Sequence, residues 1–166
     1  MNTIYFKGTP CHTYGQFPQV GEKAHCFHLV SKDLQDVTCH QYKGRRVILN
    51  IFPSLDTPVC AMSVRRFNQE AASIPDVSVL CVSADLPFAA QRFCSAEGIN
   101  NVTVASAFRS PLFAQKYGVL MVDGPLAGLL ARAVIVLDSD LHVIYAQLVN
   151  EVTTEPDYDA ALSVLK

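Results

Sequence analysis

Residues 47–60 read VILNIFPSLDTPVC and pass from a strand pattern into a helix pattern. The apolar, β-branched run at 47–52 predicts a strand that is buried on both faces. Pro58 suits the first position of a helix, so we expect Thr57 to be its N-cap. Cys60 then lies in the first turn, where free N–H groups and the helix dipole favour a thiolate. Position alone leaves two readings open, a reactive thiol at the sheet end where ligand sites gather and an inert buried cysteine.

The rest of the chain alternates short apolar strands with helical patterns. Further strands are predicted at 77–82, 133–137 and 143–149. Helices, each beginning at a proline, are predicted at 58–72, 87–97, 111–117 and 156–165. This alternation predicts the α/β class, with a central mixed sheet flanked by helices and right-handed crossovers between parallel strands.

The segment before residue 45 has a different pattern. Short strand-like pieces at 4–6, 27–30 and 37–39 are separated by glycine and proline. They predict an N-terminal β-hairpin extension. Because the sequence contains no repeat and no linker, we expect one domain over residues 1–166, of which about 1–45 form the hairpins.

Composition narrows the class of function. The chain has 166 residues, of which 50% are hydrophobic, and a formal net charge of -2. A near-neutral protein has no long-range field to hold nucleic acid or an anionic membrane. The sequence has no apolar run near the ~20 residues that span a bilayer, and no secretory signal pattern. We therefore expect a cytoplasmic protein with no nucleic-acid or membrane partner.

Cysteine is abundant for such a chain, with six residues at Cys11, Cys26, Cys39, Cys60, Cys81 and Cys94. A framework of disulfides belongs to short secreted chains with small cores, and this chain is long enough for a full core. No two cysteines are three positions apart, so the Cys-x-x-Cys motif is absent. A second cluster contains His25, Cys26, His28, Cys39 and His40. Its spacing matches no standard zinc pattern, so we expect ordinary strand residues and no metal or cofactor.

The string FPSLDTPVC at 52–60 contains Pro53-x-x-x-Thr57-x-x-Cys60. It resembles the active-site signature of the peroxiredoxins, which are thiol peroxidases with a thioredoxin-like fold. The chain is most similar to one subfamily, the bacterial thiol peroxidases of the atypical two-cysteine type. The similarity continues through SVRRFN (63–68), SADLPFA (83–89), RFCSAEG (92–98), DGPL (123–126), ARAV (131–134) and TEPDY (154–158).

The resemblance implies a role for each matching residue. Cys60 would be the peroxidatic cysteine, whose thiolate attacks the peroxide O–O bond and becomes a sulfenic acid. Thr57 would hydrogen-bond the sulfur and the peroxide, and Pro53 would shield the sulfur. Arg132 would stabilise the thiolate and the leaving oxygen. Without the resemblance, an arginine just before an apolar strand would be expected at an exposed strand end.

The resemblance also implies a partner for Cys60. Cys94 would be the resolving cysteine, forming an intramolecular disulfide that thioredoxin then reduces. A disulfide needs Cα atoms within about 7 Å, so we predict that one or both helices unwind locally between redox states. The other four cysteines are assigned no catalytic role, although exposed ones could form adventitious bonds. Hydroperoxide substrates, both alkyl hydroperoxides and hydrogen peroxide, and a homodimer are further implications.

Two other functions would use the same residues. A thiol–disulfide oxidoreductase would share the fold, but it normally carries the missing Cys-x-x-Cys. A peroxide-sensing redox relay or a holdase would use the same cysteine pair to signal to a partner. Turnover separates the cases, because a sensor is oxidised once whereas a peroxidase consumes peroxide continuously.

Overall fold

The computed structural model describes all 166 residues. It contains ten strands, which form two sheets, and four α-helices. The strands are β1 (Asn2–Phe6), β2 (Thr9–Tyr14), β3 (His28–Ser31), β4 (Asp36–Thr38), β5 (Arg46–Ile51), β6 (Val77–Ser83), β7 (Thr103–Ser106), β8 (Leu120–Met121), β9 (Ala133–Leu137) and β10 (Val143–Leu148). The helices are α1 (Pro58–Ala71), α2 (Pro87–Glu97), α3 (Pro111–Lys116) and α4 (Tyr158–Ser163). The main sheet has the order β10-β9-β5-β6-β7-β3-β4, and the small sheet the order β1-β2-β8.

The main sheet is mixed, as predicted. Its centre is parallel, with β5 beside β6 and β6 beside β7, while β9 runs antiparallel to β5 and β3 antiparallel to β7. Successive β5 side chains enter two different apolar clusters, Leu49 on one face and Ile48 on the other. The first cluster includes residues of the small sheet and α3, and the second includes residues of α1, α2 and α4. Burial on both faces explains why residues 47–52 are apolar at every position except Asn50.

The N-terminal hairpins lie in different sheets. The β1–β2 hairpin pairs with β8 in the small sheet, whereas the β3–β4 hairpin forms an edge of the main sheet next to β7. The predicted strand at 37–39 is wrong at its end, because Cys39–Tyr42 is a 3₁₀ helix. Gln41 causes this turn, since its Oε1 accepts the Thr38 N–H at 3.1 Å.

The main helix boundaries lie within a residue of those predicted, except in α4. This helix begins at Tyr158 and not at residue 156, because the Asp157 side chain caps it by accepting the Ala160 N–H at 3.0 Å. The longest helix, α1, has 14 residues. No helix combines the length and the apolar content needed to span a bilayer.

Candidate active site

Cys60 lies where the start of α1 meets the start of β9, two segments that are far apart in the sequence. It is the third residue of α1 and is fully buried. Arg132 immediately precedes β9, whose first residue Ala133 pairs with Ile51 at the end of β5. Because β5 and β9 are antiparallel, the end of one meets the start of the other. The Arg132 Nη2 atom consequently lies 3.2 Å from the Cys60 Sγ atom.

The Arg132 side chain is held rigidly inside the protein. It is only 2% exposed, which contradicts the exposed strand-end position expected from the sequence pattern. Its Nε donates a hydrogen bond to the Val152 carbonyl oxygen at 2.9 Å, while Nη1 has no partner. A fixed guanidinium in a buried site stabilises negative charge on the adjacent sulfur far more than it would in water. The unpartnered Nη1 leaves one further donor for a bound oxygen atom.

Thr57 occupies the N-cap position of α1, but its side chain does not cap the helix. Its Oγ1 donates instead to the Ser54 carbonyl oxygen at 3.0 Å. The expected N-cap interaction is therefore absent, and no acceptor within the chain binds the Cys60 N–H. A free N–H beside a hydroxyl with available lone pairs is able to orient a small oxygen ligand at the helix start.

A cavity of about 400 Å³ opens beside this helix start. Three of the predicted site residues line it, namely Pro53, Thr57 and Arg132. The remaining lining residues are Phe6, Lys7, Ser54, Pro58, Val59, Leu126, Leu129, Val152 and Thr153. The walls contain two cations and no carboxylate, so the cavity suits a small, partly apolar molecule that develops negative charge.

Two polar networks that sequence reasoning did not identify, one half-buried and one buried, position the loop and the helix. The Asp85 carboxylate accepts hydrogen bonds from Ser54 Oγ at 2.8 Å and from the Leu55 N–H at 2.7 Å, holding the loop before α1. In the second network Asn50 Nδ2 donates to Ser63 Oγ at 3.1 Å, and Ser63 Oγ donates to the Cys60 carbonyl oxygen at 2.8 Å. The one available signal was an acidic residue two positions after the end of β6, the parallel neighbour of β5.

Cys94 is a free, buried thiol in α2. It belongs to the same apolar cluster as Cys60, but the two sulfurs are not bonded and both helices are intact. Burial raises the pKa of the Cys94 thiol, while Lys32 and Asp33 in the β3–β4 turn act on it in opposite directions. The structure therefore contains this pair in its dithiol form, with Cys94 held as a neutral thiol.

None of the six cysteines lines the cavity, and Cys60 lies buried behind the residues of the helix start that do. Cys11 and Cys81 are free and buried, and burial raises the pKa of Cys81 to about 12. Cys26 and Cys39 are joined by a disulfide, a pairing that the sequence reading did not anticipate. They lie close to His40, so these three residues are the side chains of the second cluster that could together hold a metal ion. Their bonded sulfurs are not free to act as thiolate ligands in this state.

Comparison with known proteins gives a consistent result. The family model described as Redoxin matches residues 19–162. A thiol peroxidase of Corynebacterium glutamicum is 54% identical over 165 residues, covering 99% of each chain. The crystal structure of a peroxiredoxin-like protein from Aquifex aeolicus superposes with a TM-score of 0.93 at 43% identity, covering 99% of this chain and 96% of that one. A thiol peroxidase from Chromobacterium violaceum shares the fold, with a TM-score of 0.89 at 23% identity over 98% of this chain and 94% of its own.

Proposed function

The chain belongs to the redoxin family and is a thiol peroxidase of the peroxiredoxin class, and from this we propose that Cys60 is its peroxidatic cysteine. The fold is the thioredoxin-like fold of the peroxiredoxins, as the sequence resemblance implied. The observation that carries the proposal is the 3.2 Å separation between Arg132 Nη2 and Cys60 Sγ at a helix start. Of the four free cysteines, only Cys60 has a guanidinium against its sulfur.

The first step is attack of the Cys60 thiolate on the terminal oxygen of a hydroperoxide. The S–O bond forms, the O–O bond breaks, and the leaving alkoxide takes up a proton to become an alcohol, or water when the substrate is hydrogen peroxide. Arg132 stabilises the thiolate and then the charge on the leaving oxygen. The Thr57 hydroxyl and the Cys60 N–H orient the peroxide, and buried Pro53 limits the access of water.

In the second step Cys94 resolves the sulfenic acid. Its thiolate attacks the Cys60 sulfur, the S–S bond forms, and hydroxide leaves and is protonated to water. This step needs local unwinding of α1, α2 or both, since Cys94 is buried and neutral in the folded helix. Thioredoxin is the proposed reductant, because an unwound Cys60–Cys94 disulfide would be open to an external dithiol.

The cavity walls support alkyl hydroperoxides as substrates alongside hydrogen peroxide. Leu126, Leu129 and Val152 contribute apolar side chains to the cavity wall. An alkyl group packed against these side chains would gain about 25 cal/mol for each Å² of apolar surface buried. Hydrogen peroxide would gain nothing from them, so we expect the apolar walls to lower KM selectively for alkyl substrates.

The proposed cytoplasmic enzyme acts as a homodimer. Exposed apolar side chains gather where the chain leaves the parallel strands β6 and β7, at Leu86, Phe88, Phe108 and Leu112. Backbone contacts join the two segments, since the Ala107 N–H donates to the Ser83 carbonyl oxygen at 2.9 Å. A patch of this kind supports contact with a second copy of the chain.

Peptide mapping after one equivalent of hydroperoxide tests the cysteine roles. The wild-type protein should yield a Cys60–Cys94 linked peptide, and Cys94→Ser should trap a sulfenic acid at Cys60. Cys11→Ser, which removes a free buried thiol that makes no contact with the networks around Cys60, is the matched control and should behave as wild type. Full peroxide consumption by Cys60→Ser would overturn the proposal.

A turnover assay separates the enzyme from a peroxide-sensing relay or holdase that uses the same cysteine pair. With thioredoxin, its reductase and a nicotinamide reductant present, many equivalents of hydroperoxide should be consumed for each chain. Consumption that stops after one equivalent under these conditions would favour the sensor.

A further inference from the structure

We propose that Cys26 and Cys39 form a second redox-active pair, which exchanges with external thiols and disulfides through the exposed sulfur of Cys26. The two residues are joined by a disulfide with a Cα–Cα distance of 5.3 Å. The Cys26 Sγ atom lies 3.8 Å from the Nε2 atom of His40. The inference goes beyond the peroxidase reaction, which uses neither sulfur.

The pair lies away from the peroxidase cavity. It closes the open end of the β3–β4 hairpin, where the Cys39 N–H donates to the Phe27 carbonyl oxygen at 3.2 Å. Strands β6 and β7 separate this hairpin from β5, which leads into the active-site loop. No residue of the hairpin lines the cavity beside Cys60. Cys26 and Cys39 are therefore a separate redox group.

The two sulfurs differ in accessibility. Cys26 is exposed, whereas Cys39 is only 5% exposed and belongs to the apolar core. Thiol–disulfide exchange needs direct approach of a thiolate to one sulfur, so Cys26 is the sulfur that an external thiol attacks. A disulfide buried at both sulfurs would be closed to this reaction. Because one of its two sulfurs is exposed, the Cys26–Cys39 disulfide can be reduced by an external thiol.

The exchange balances with a dithiol as reductant. One thiolate of the reductant attacks the Cys26 sulfur, the Cys26–Cys39 bond breaks, and Cys39 leaves as a thiolate that is protonated by water. The second thiolate of the reductant then attacks the mixed disulfide and releases Cys26 as a thiolate. The reductant loses two electrons and becomes a disulfide, and the protein pair gains two. A small disulfide such as glutathione disulfide reverses the reaction.

His40 gives the pair a chemical feature that a purely structural bridge does not need. An imidazole beside a sulfur stabilises the thiolate that forms when the bond opens. His28 provides a comparison, because it lies on the same hairpin but pairs with Asp36 at 2.9 Å and makes no contact with either sulfur. The ring nitrogen of His40 lies within 4.8 Å of both sulfurs, so His40 is a charge-stabilising residue for the Cys39 thiolate that leaves first and for the Cys26 thiolate released second.

The first experiment measures the redox state of the pair in glutathione mixtures. The protein carries Cys60→Ser and Cys94→Ser, so that the peroxidase pair contributes no signal, and circular dichroism checks that it stays folded. As reduced glutathione increases, Cys26 and Cys39 should become alkylatable together, and a glutathione mixed disulfide should appear on Cys26 and not on Cys39. A pair that stays oxidised at every ratio in the folded protein would overturn the proposal.

The second experiment compares histidine variants in the same background. His40→Gln should slow reduction of the bond by dithiothreitol about threefold to tenfold through loss of thiolate stabilisation, and His28→Gln should leave the rate unchanged. Equal rates in both variants would contradict the role of His40.

Added Zn²⁺ tests the competing metal site. A stoichiometric Zn²⁺ complex of the reduced protein that glutathione disulfide cannot oxidise would overturn the redox proposal.

The third experiment tests the separation of the two pairs. A protein with Cys26→Ser and Cys39→Ser, and with Cys60 and Cys94 intact, should keep wild-type peroxide turnover. Loss of turnover in this folded variant would place Cys26 and Cys39 inside the peroxidase cycle and overturn their independence.

Discussion

The three guanidinium nitrogen atoms of Arg132 have three different surroundings, which explains why an arginine and not a lysine stands at this position. Nε binds the Val152 carbonyl oxygen, Nη2 faces the Cys60 sulfur, and Nη1 remains free. A planar fork of donors anchors itself on one side while presenting charge on the other. A lysine ammonium could hold the carbonyl or the sulfur, but its flexible stem would not fix it between them.

We predict that Arg132→Met lowers the second-order rate constant for oxidation of Cys60 by hydroperoxide about 10²- to 10³-fold, the effect of removing one preorganised charge-stabilising donor. The methionine approximates the volume of the side chain while removing its charge. Quenched-flow alkylation of the remaining Cys60 thiol measures the rate. Arg45→Met is the control, because Arg45 is an exposed arginine at the opposite end of β5 that bonds to Ser78. A loss of less than threefold in Arg132→Met would contradict the assignment.

The sequence brings candidate site residues together where they belong to one segment. Pro53, Thr57 and Cys60 lie within one short segment, so strand and helix patterns were enough to place them together. Asp85 and Asn50 escaped notice because their partners come from other elements, and only the sheet order brings them into contact. Burial of Arg132 has the same origin, since a local pattern does not reveal which strand lies beside it.

At the scale of elements, exposed polar contacts hold together the two helices that carry Cys60 and Cys94. Arg65 of α1 makes a two-pronged ion pair with Glu97 of α2, at 2.7 and 2.8 Å. Asn68 of α1 accepts the backbone N–H groups of residues 100 and 101, just after α2. If Cys94 resolves Cys60 as proposed, any unwinding that brings the two sulfurs together would strain or break these contacts, and they would slow that step.

Glu97→Gln should accelerate formation of the Cys60–Cys94 disulfide about twofold to fivefold, because a solvent-exposed ion pair adds only a small barrier to unwinding. Single-turnover oxidation followed by acid quench and mass mapping measures the rate. Glu70→Gln is the matched control, since it removes an exposed ion pair with Arg66 that lies within α1.

Amide hydrogen exchange provides the independent check on unwinding. Protection in α1 and α2 should fall when the reduced protein is oxidised, and exchange over α2 should be faster in Glu97→Gln than in Glu70→Gln. Equal protection around Cys60 and Cys94 in both redox states would contradict local unfolding.

A single carboxylate fixes the rim of the cavity. Glu151 accepts the N–H groups of Lys7 at 3.0 Å and Gly8 at 3.1 Å, as well as the Thr153 hydroxyl at 2.8 Å. Hydrogen bonds from the Thr153 side chain and the Gly8 backbone, in that order, are the main causes that lower the pKa of Glu151 from 4.5 to about 2. Because Lys7 and Thr153 line the cavity, this carboxylate joins the β1–β2 turn to the cavity's opposite wall.

The stability that Glu151 contributes should decrease as the pH falls. The folded pKa lies below the unfolded value, so the contribution is complete above about pH 4.5 and is lost as the pH falls towards 2. The difference in Tm between wild type and Glu151→Gln should be constant from pH 7 to 5 and shrink between about pH 4.5 and 2. Glu22→Gln, which removes the charge of a carboxylate that accepts only one backbone N–H, should lower Tm less. A difference that grows with acid would contradict the sign.

Helices and strands with a clear hydrophobic or proline pattern were predicted, whereas short strands that form by pairing with neighbouring strands were not. The prolines at Pro58 and Pro87 placed α1 and α2 correctly. Strands β2, β7 and β8 were missed. Strand β2 reads TPCHTY and has too few apolar residues to alternate, while β7 and β8, with four and two residues, are too short to show a pattern. The Cys26–Cys39 bond was missed for a related reason, since it follows from the β3–β4 register and not from the spacing of 13 residues.

The whole molecule covers both faces of its main sheet but leaves one apolar region uncovered. Three of the α-helices contribute to one face, and the small sheet and α3 to the other. At the carboxyl ends of β6 and β7, four large side chains remain exposed, namely Leu86, Phe88, Phe108 and Leu112. Phe88, 68% exposed, lies in the first turn of α2. A contact there would involve the start of the helix that carries Cys94.

We predict that the wild-type chain sediments at about twice its 18.2 kDa mass and that Phe88→Asp sediments as a monomer, because a carboxylate in an apolar contact is costly to desolvate. Val20→Asp is the control, since Val20 is an exposed apolar residue of a different surface. Sedimentation equilibrium at matched concentrations measures both. A wild-type protein of 18.2 kDa at every concentration would contradict the dimer. If the dimer contact supports the start of α2, the monomeric variant should also show faster amide exchange over α2, so that subunit contact and access to Cys94 change together.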